Sequence, residues 1–129
     1  MLDNFDFPGG VNIRDSTGCT PFLRATQSQQ SEVYRVLAKT YFSNVNAQDN
    51  NGRTALIHAA MTNDFELAKF LVLECKANTN LQTKWKDSAL HFAASHDNVE
   101  FVKLLLHAGA NLKSLVMAAW ISAVRPLLS

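Results

Sequence analysis

One short pattern recurs along this chain at a fixed interval, and it restricts the fold more than any other feature. Thr20-Pro21-Phe22-Leu23-Arg24-Ala25, Thr54-Ala55-Leu56-Ile57-His58-Ala59-Ala60 and Ser88-Ala89-Leu90-His91-Phe92-Ala93-Ala94 share one plan, and their first residues are 54 − 20 = 34 and 88 − 54 = 34 positions apart. A fixed period of this size marks stacked supersecondary units, each of which buries its apolar face only against its neighbours.

Every unit carries the same local signals in the same order. Asp15-Ser16-Thr17-Gly18 and Asp49-Asn50-Asn51-Gly52 have turn chemistry, an Asp able to bond backbone amides and a Gly free to take positive φ. Thr20, Thr54 and Ser88 follow as predicted N-caps, and Pro21 fits the first helical position, where no amide hydrogen is needed. Each first helix then presents small residues, Ala25, Ala59-Ala60 and Ala93-Ala94, which permit close stacking. The second helices, around residues 32–37, 66–71 and 100–105, place apolar side chains at i, i+3 and i+4, as in Val33, Val36 and Leu37 or Phe101, Leu104 and Leu105. Glu32, Glu66 and Glu100 sit in the first turns, where the helix dipole favours a negative charge. Asn44-Val45-Asn46 and Asn78-Thr79-Asn80 close the units, with Gly10-Val11-Asn12 and Ala110-Asn111-Leu112 as related tails.

Composition narrows the class. With 47% hydrophobic and 18% charged residues the chain can offset its ordering entropy by burial, which argues against disorder. A formal net charge of +1 gives no bulk electrostatic reason to expect nucleic acid or an anionic membrane. Cys19 and Cys75 occupy non-equivalent places in different units, so neither a disulfide framework nor a zinc framework follows; two reduced thiols of an intracellular, cytoplasmic protein are expected. The first seven residues are acidic and broken by polar side chains, unlike a secretory signal. The most apolar stretch, 114–129, carries Arg125 and Pro126 and is too short to span a bilayer.

These residues resemble the ankyrin repeat, a β-turn finger followed by two antiparallel helices with a Thr-Pro-Leu-His-x-Ala core. The resemblance implies an all-α solenoid of helix-turn-helix units with β-turn fingers and a concave binding surface built from fingers and first helices. On this reading residues 1–10 are an N-terminal extension, with Leu2, Phe5 and Phe7 either covering the first repeat or frayed. Repeats fall at about 11–46, 47–80 and 81–112, and 113–129 form a degenerate capping helix pair. The family's histidine keeps its place only at His91; Leu23 and Ile57 stand there in the other units, so the first two interfaces are expected to lack that polar tie. Thr83 and Lys86 replace the Asp and Gly of the third turn, leaving Lys86 where positive φ is often needed, so that either Lys86 is strained or the turn differs. The period of 34 exceeds the family's usual 33, and the extra residue is expected after each second helix, near 39–44 and 74–77. Asn46 and Asn80, where the family's turn asparagine is sometimes hydroxylated, read as structural turn residues.

No nucleophile, base and orienting group fall into a recognisable arrangement, and His58, His91, His96 and His107 are scattered without further ligands at metal-binding spacing. Neither catalysis nor a cofactor is expected. Function must then reside in exposed residues that the fold does not need, as part of a scaffold, adaptor or inhibitor that binds a protein partner. Carrying the family's variable surface onto this chain gives Gln48, Asn50, Asn51, Arg53, Met61 and Thr62 in the second unit and Gln82, Lys84, Trp85, Asp87, Ser95 and His96 in the third. The first contributes Arg14, Ser16, Thr17, Cys19, Gln27 and Ser28. Trp85 stands out, because a large aromatic at a finger tip has little core to enter and Trp is enriched among binding hot spots. Arg53 faces either Asp87 or the partner. Lys84-Trp85-Lys86 also invites a nucleic-acid reading, set aside because two lysines make a thin electrostatic footprint. The main alternative is a structural fragment of a longer array that stacks or self-associates through Leu115 to Leu128, the chain being otherwise expected to act as a monomer.

Overall fold

The computed structural model describes residues 12–110. The N-terminal extension and the capping pair predicted for 113–129 lie outside them. Six α-helices follow in pairs: α1 (Pro21–Gln27) with α2 (Ser31–Lys39), α3 (Ala55–Thr62) with α4 (Phe65–Lys69), and α5 (Ala89–Ser95) with α6 (Val99–His107). First helices pack on first helices along the array, α1 on α3 and α3 on α5, while α4 meets α6.

Each helix starts where its cap dictates. Thr20 and Thr54 hold extended backbone, and their hydroxyls accept from the amides of Leu23 and Ile57. Ser88 keeps the same backbone but does not form the predicted cap bond to the helix amide. Asp64 and Asn98 cap the second helices of their units, accepting from Leu67 and Phe101. The sharp reversals within the pairs use left-handed backbone at the same place in each unit, Gln29, Asn63 and Asp97, with φ of 57–58°.

The core is a continuous column. Phe22, Leu56 and Leu90 from the first helices are fully buried, as are Phe70, Phe101 and Leu105 from the second-helix side. Ala59, Ala60 and Ala93 are at or near zero exposure, so neighbouring backbones approach across methyl groups, as the small-residue pattern predicts.

The extra residue per unit appears where the period placed it. In the first two units the second helix ends in a wide turn: the Ser43 amide donates to Leu37 O and the Ala77 amide to Leu71 O, each six residues back. In the third unit the Ala110 amide reaches Leu105 O, five residues back. Phe70–Glu74 correspondingly forms a π-helical turn at the end of α4. The residue that absorbs the reversal takes positive φ in every unit: Phe42 at 54°, Lys76 at 55° and Gly109 at 96°.

Candidate functional site

Three turn fingers precede the first helices, and their sequences explain their shape. In the first, Asp15 Oδ1 accepts from the amides of Thr17 and Cys19 at 2.8 and 3.0 Å; in the second, Asp49 Oδ1 accepts from Asn51 and Arg53 at 2.8 and 3.0 Å. The third finger has no carboxylate there, yet Thr83 Oγ1 takes the same two bonds, from Trp85 and Asp87, at 3.2 and 3.3 Å. The turn also keeps its backbone, because Lys86 adopts φ of 70° where Gly18 and Gly52 have 83° and 81°. Asp15 receives a further bond from Thr17 Oγ1 and pairs with Arg24 at 2.9 Å, and these contacts hold its carboxyl far below the ordinary carboxylate range.

Adjacent fingers are tied by a ladder of polar contacts. The amides of Asn50 and Lys84 donate to Thr17 O and Asn51 O at 3.0 and 2.9 Å. Gln48 Nε2 bridges Gly52 O and Gln82 O, both at 2.9 Å, and Arg14 one unit earlier bridges Gly18 O and Gln48 O. These side chains supply the inter-finger tie that the missing histidines left in doubt. His91 pairs at 3.5 Å with Asp87 of its own unit. Behind the fingers, Asn12 and Asn46 Oδ1 accept from the amides of Asn44 and Asn78, consistent with structural turn asparagines.

Against this frame the predicted contact residues divide. Gln48, Asn50, Met61 and His96 link units: Asn50 Nδ2 donates to Ser16 O at 3.1 Å, and His96 Nε2 lies 2.9 Å from Met61 O. Thr62 and Ser95 are exposed, but their hydroxyls turn back to His58 O and Phe92 O. Asn51 and Gln82 are half-buried, and their carbonyls serve the neighbouring finger or its tie. Asp87 faces His91 and not Arg53.

Arg53, Lys84 and Trp85 come together. Trp85 is 55% exposed, with the Arg53 guanidinium 5.7 Å and the Lys84 ammonium 4.8 Å from its ring centroid. The ring is thus flanked by cations from two fingers without being covered. In the first unit Arg14 is exposed but its guanidinium bonds the finger carbonyls, and Cys19 is buried and touched by Gln27 Nε2 at 3.7 Å; Ser16 and Thr17 remain on the exposed finger and Ser28 on an exposed loop.

The sequence reading overlooked one column. Arg24, His58 and Phe92 recur every 34 residues on the first helices, and His58 is shielded enough that burial, reinforced by Arg53, lowers its pKa. The signal was available, since Arg24, His58 and Phe92 lie three residues before Gln27, Met61 and Ser95 and so share a helix face with them. Among the described residues no three His, Cys, Asp or Glu side chains gather as a metal site, and no helix is long and apolar enough to cross a membrane.

A family model described as ankyrin repeats, three copies, matches residues 2–83 and 40–116. The comparison with curated proteins returns no match.

Proposed function

Because the chain belongs to the ankyrin repeat family, whose members are in general protein-protein interaction modules, we propose that it works as a scaffold, adaptor or inhibitor that holds a protein partner on its finger and first-helix surface. The observation that carries this reading is the third finger. Its backbone is fixed by bonds from Lys84 to Asn51 O and from Trp85 and Asp87 to Thr83, yet it displays a half-exposed tryptophan that no part of the core requires. A large aromatic on a rigid turn contributes contact area without an ordering cost at binding. Arg53 and Lys84 flank it, and Thr62, Ser95 and Phe92 extend the surface onto the first helices.

The test is affinity capture from the source cell's lysate with the parent chain beside Trp85→Ala, with bound proteins identified by mass spectrometry. A partner held by the parent and lost by the variant is expected. Recovery of the same proteins by both would remove the third finger from the interface.

A further inference from the structure

Beyond recognition of a protein in general, we infer that the third-finger surface takes an acidic segment of its partner, with side-chain carboxylates paired to Arg53, Lys84 and Lys86 around the Trp85 ring; this rests on the interaction reading above.

Half of the ten Lys and Arg side chains among the described residues are already engaged. Arg14 is spent on the carbonyls of Gly18 and Gln48, Arg24 on Asp15, Arg35 and Lys39 on Glu74, and Lys69 on Glu66. Arg53, Lys84 and Lys86 make no ion pair among the described residues; Arg53 and Lys84 meet at the Trp85 ring, and Lys86 stands on the same exposed turn. Lys76 and Lys103 also lack an ion pair, but each stands singly on the second-helix side. The carboxylates of these two fingers have partners of their own, Asp49 Oδ1 the amides of its own finger and Asp87 the His91 imidazole at 3.5 Å. The three cations are thus left without a carboxylate partner among the described residues, while Asp49 and Asp87 are engaged elsewhere.

Geometry adds to charge. Lys84 and Lys86 flank Trp85 in sequence on a turn that a hydrogen bond anchors to the second finger, and Arg53 comes from that second finger. A carboxylate beside the ring can meet two cations from different units at once, and the exposed part of the indole is left for an adjacent apolar side chain. The patch is two fingers wide and the chain's formal net charge is only +1, so it offers too few contacts for a phosphate backbone, whose affinity grows with the number of phosphates neutralised. Charges this exposed act chiefly on encounter and specificity, and salt weakens them.

The experiment titrates the full isotope-labelled chain with three probes: a dodecapeptide of three Glu-Leu-Glu-Gly units, its counterpart of three Lys-Leu-Lys-Gly units, and oligothymidylate of equal length. The acidic peptide is expected to shift the amides of Arg53 and Lys84 to Asp87, to bind about tenfold or more tightly than the basic one, and to weaken by a similar factor in Lys84→Glu combined with Lys86→Glu. Raising salt from about 50 to about 500 mM should weaken it further. Equal binding of both peptides at these amides, or preference for the basic one, would overturn the acidic assignment and leave the interaction surface standing. Tighter binding of the oligonucleotide there would replace it with a nucleic-acid site. If no probe shifts any finger or first-helix amide, both the acidic assignment and the surface it rests on fail.

Discussion

Lys86 is a long, charged side chain in a backbone conformation that glycine fills in the two preceding fingers. Left-handed backbone costs a non-glycine residue about 1–2 kcal/mol, so Lys86→Gly should stabilise the chain by about 1 kcal/mol in urea unfolding. The sequence already exposed this position, because Gly18 and Gly52 define it by register. Phe42 is a comparable case that the sequence left unmarked. It has φ of 54° and is 80% exposed, and only the left-handed residues found at Lys76 and Gly109 reveal the equivalence. His58 gives a prediction in pH. Burial first, and then Arg53, lower its pKa below the ordinary 6.5. Between that lowered value and 6.5 the unfolded chain binds a proton that the folded chain refuses. Stability is therefore complete above about pH 6.5 and declines as pH falls through this window. Replacing His58 with Gln should flatten the decline, as read from urea midpoints at about pH 7.5 and 5.5.

At the scale of a finger, one Asp-to-Thr exchange between units makes an internal comparison. Thr83 forms both bonds that Asp15 and Asp49 form, at 3.2 and 3.3 Å where the carboxylates reach 2.8 to 3.0 Å. Charge-assisted bonds are the stronger kind, so Thr83→Asp should raise stability by about 0.5–1 kcal/mol. An unchanged or lowered unfolding midpoint would count against this account of the turn. The ties between fingers follow similar reasoning. Gln48→Ala removes donors from Gly52 O and Gln82 O and should cost about 1–3 kcal/mol, more than an exposed polar deletion. The first helices and their small faces were legible because their period is strict and Thr20 and Thr54 cap them where it places them. The role of Gln48 was not, since its partner lies 34 residues away and a polar residue beside a finger looks the same whether it bonds a neighbour or faces solvent. The same blindness hid the partners of His96 and Asn50.

At the scale of the array, equivalent positions differ in burial from unit to unit. Leu67 and Phe70 are 1% and 2% exposed, whereas Val33 and Val36, their counterparts one unit earlier, are 48% and 47% exposed. The repeat pattern alone assigned all four to a buried stripe, because periodicity reports which face is apolar and not whether another unit covers it. What the periodicity could not decide for Val33 it also could not decide for Trp85, where only the three-dimensional arrangement brings Arg53 and Lys84 onto the ring. On the proposed function this cluster is surplus to folding and free to serve a partner. The decisive measurement is the urea-unfolding free energy of the triple variant Arg53→Ala, Lys84→Ala, Trp85→Ala. A change below about 1 kcal/mol is expected, the range of exposed substitutions with a modest cation–π contribution; a loss of about 3 kcal/mol or more, typical of a packed core aromatic, would instead make Trp85 a structural residue of the third finger.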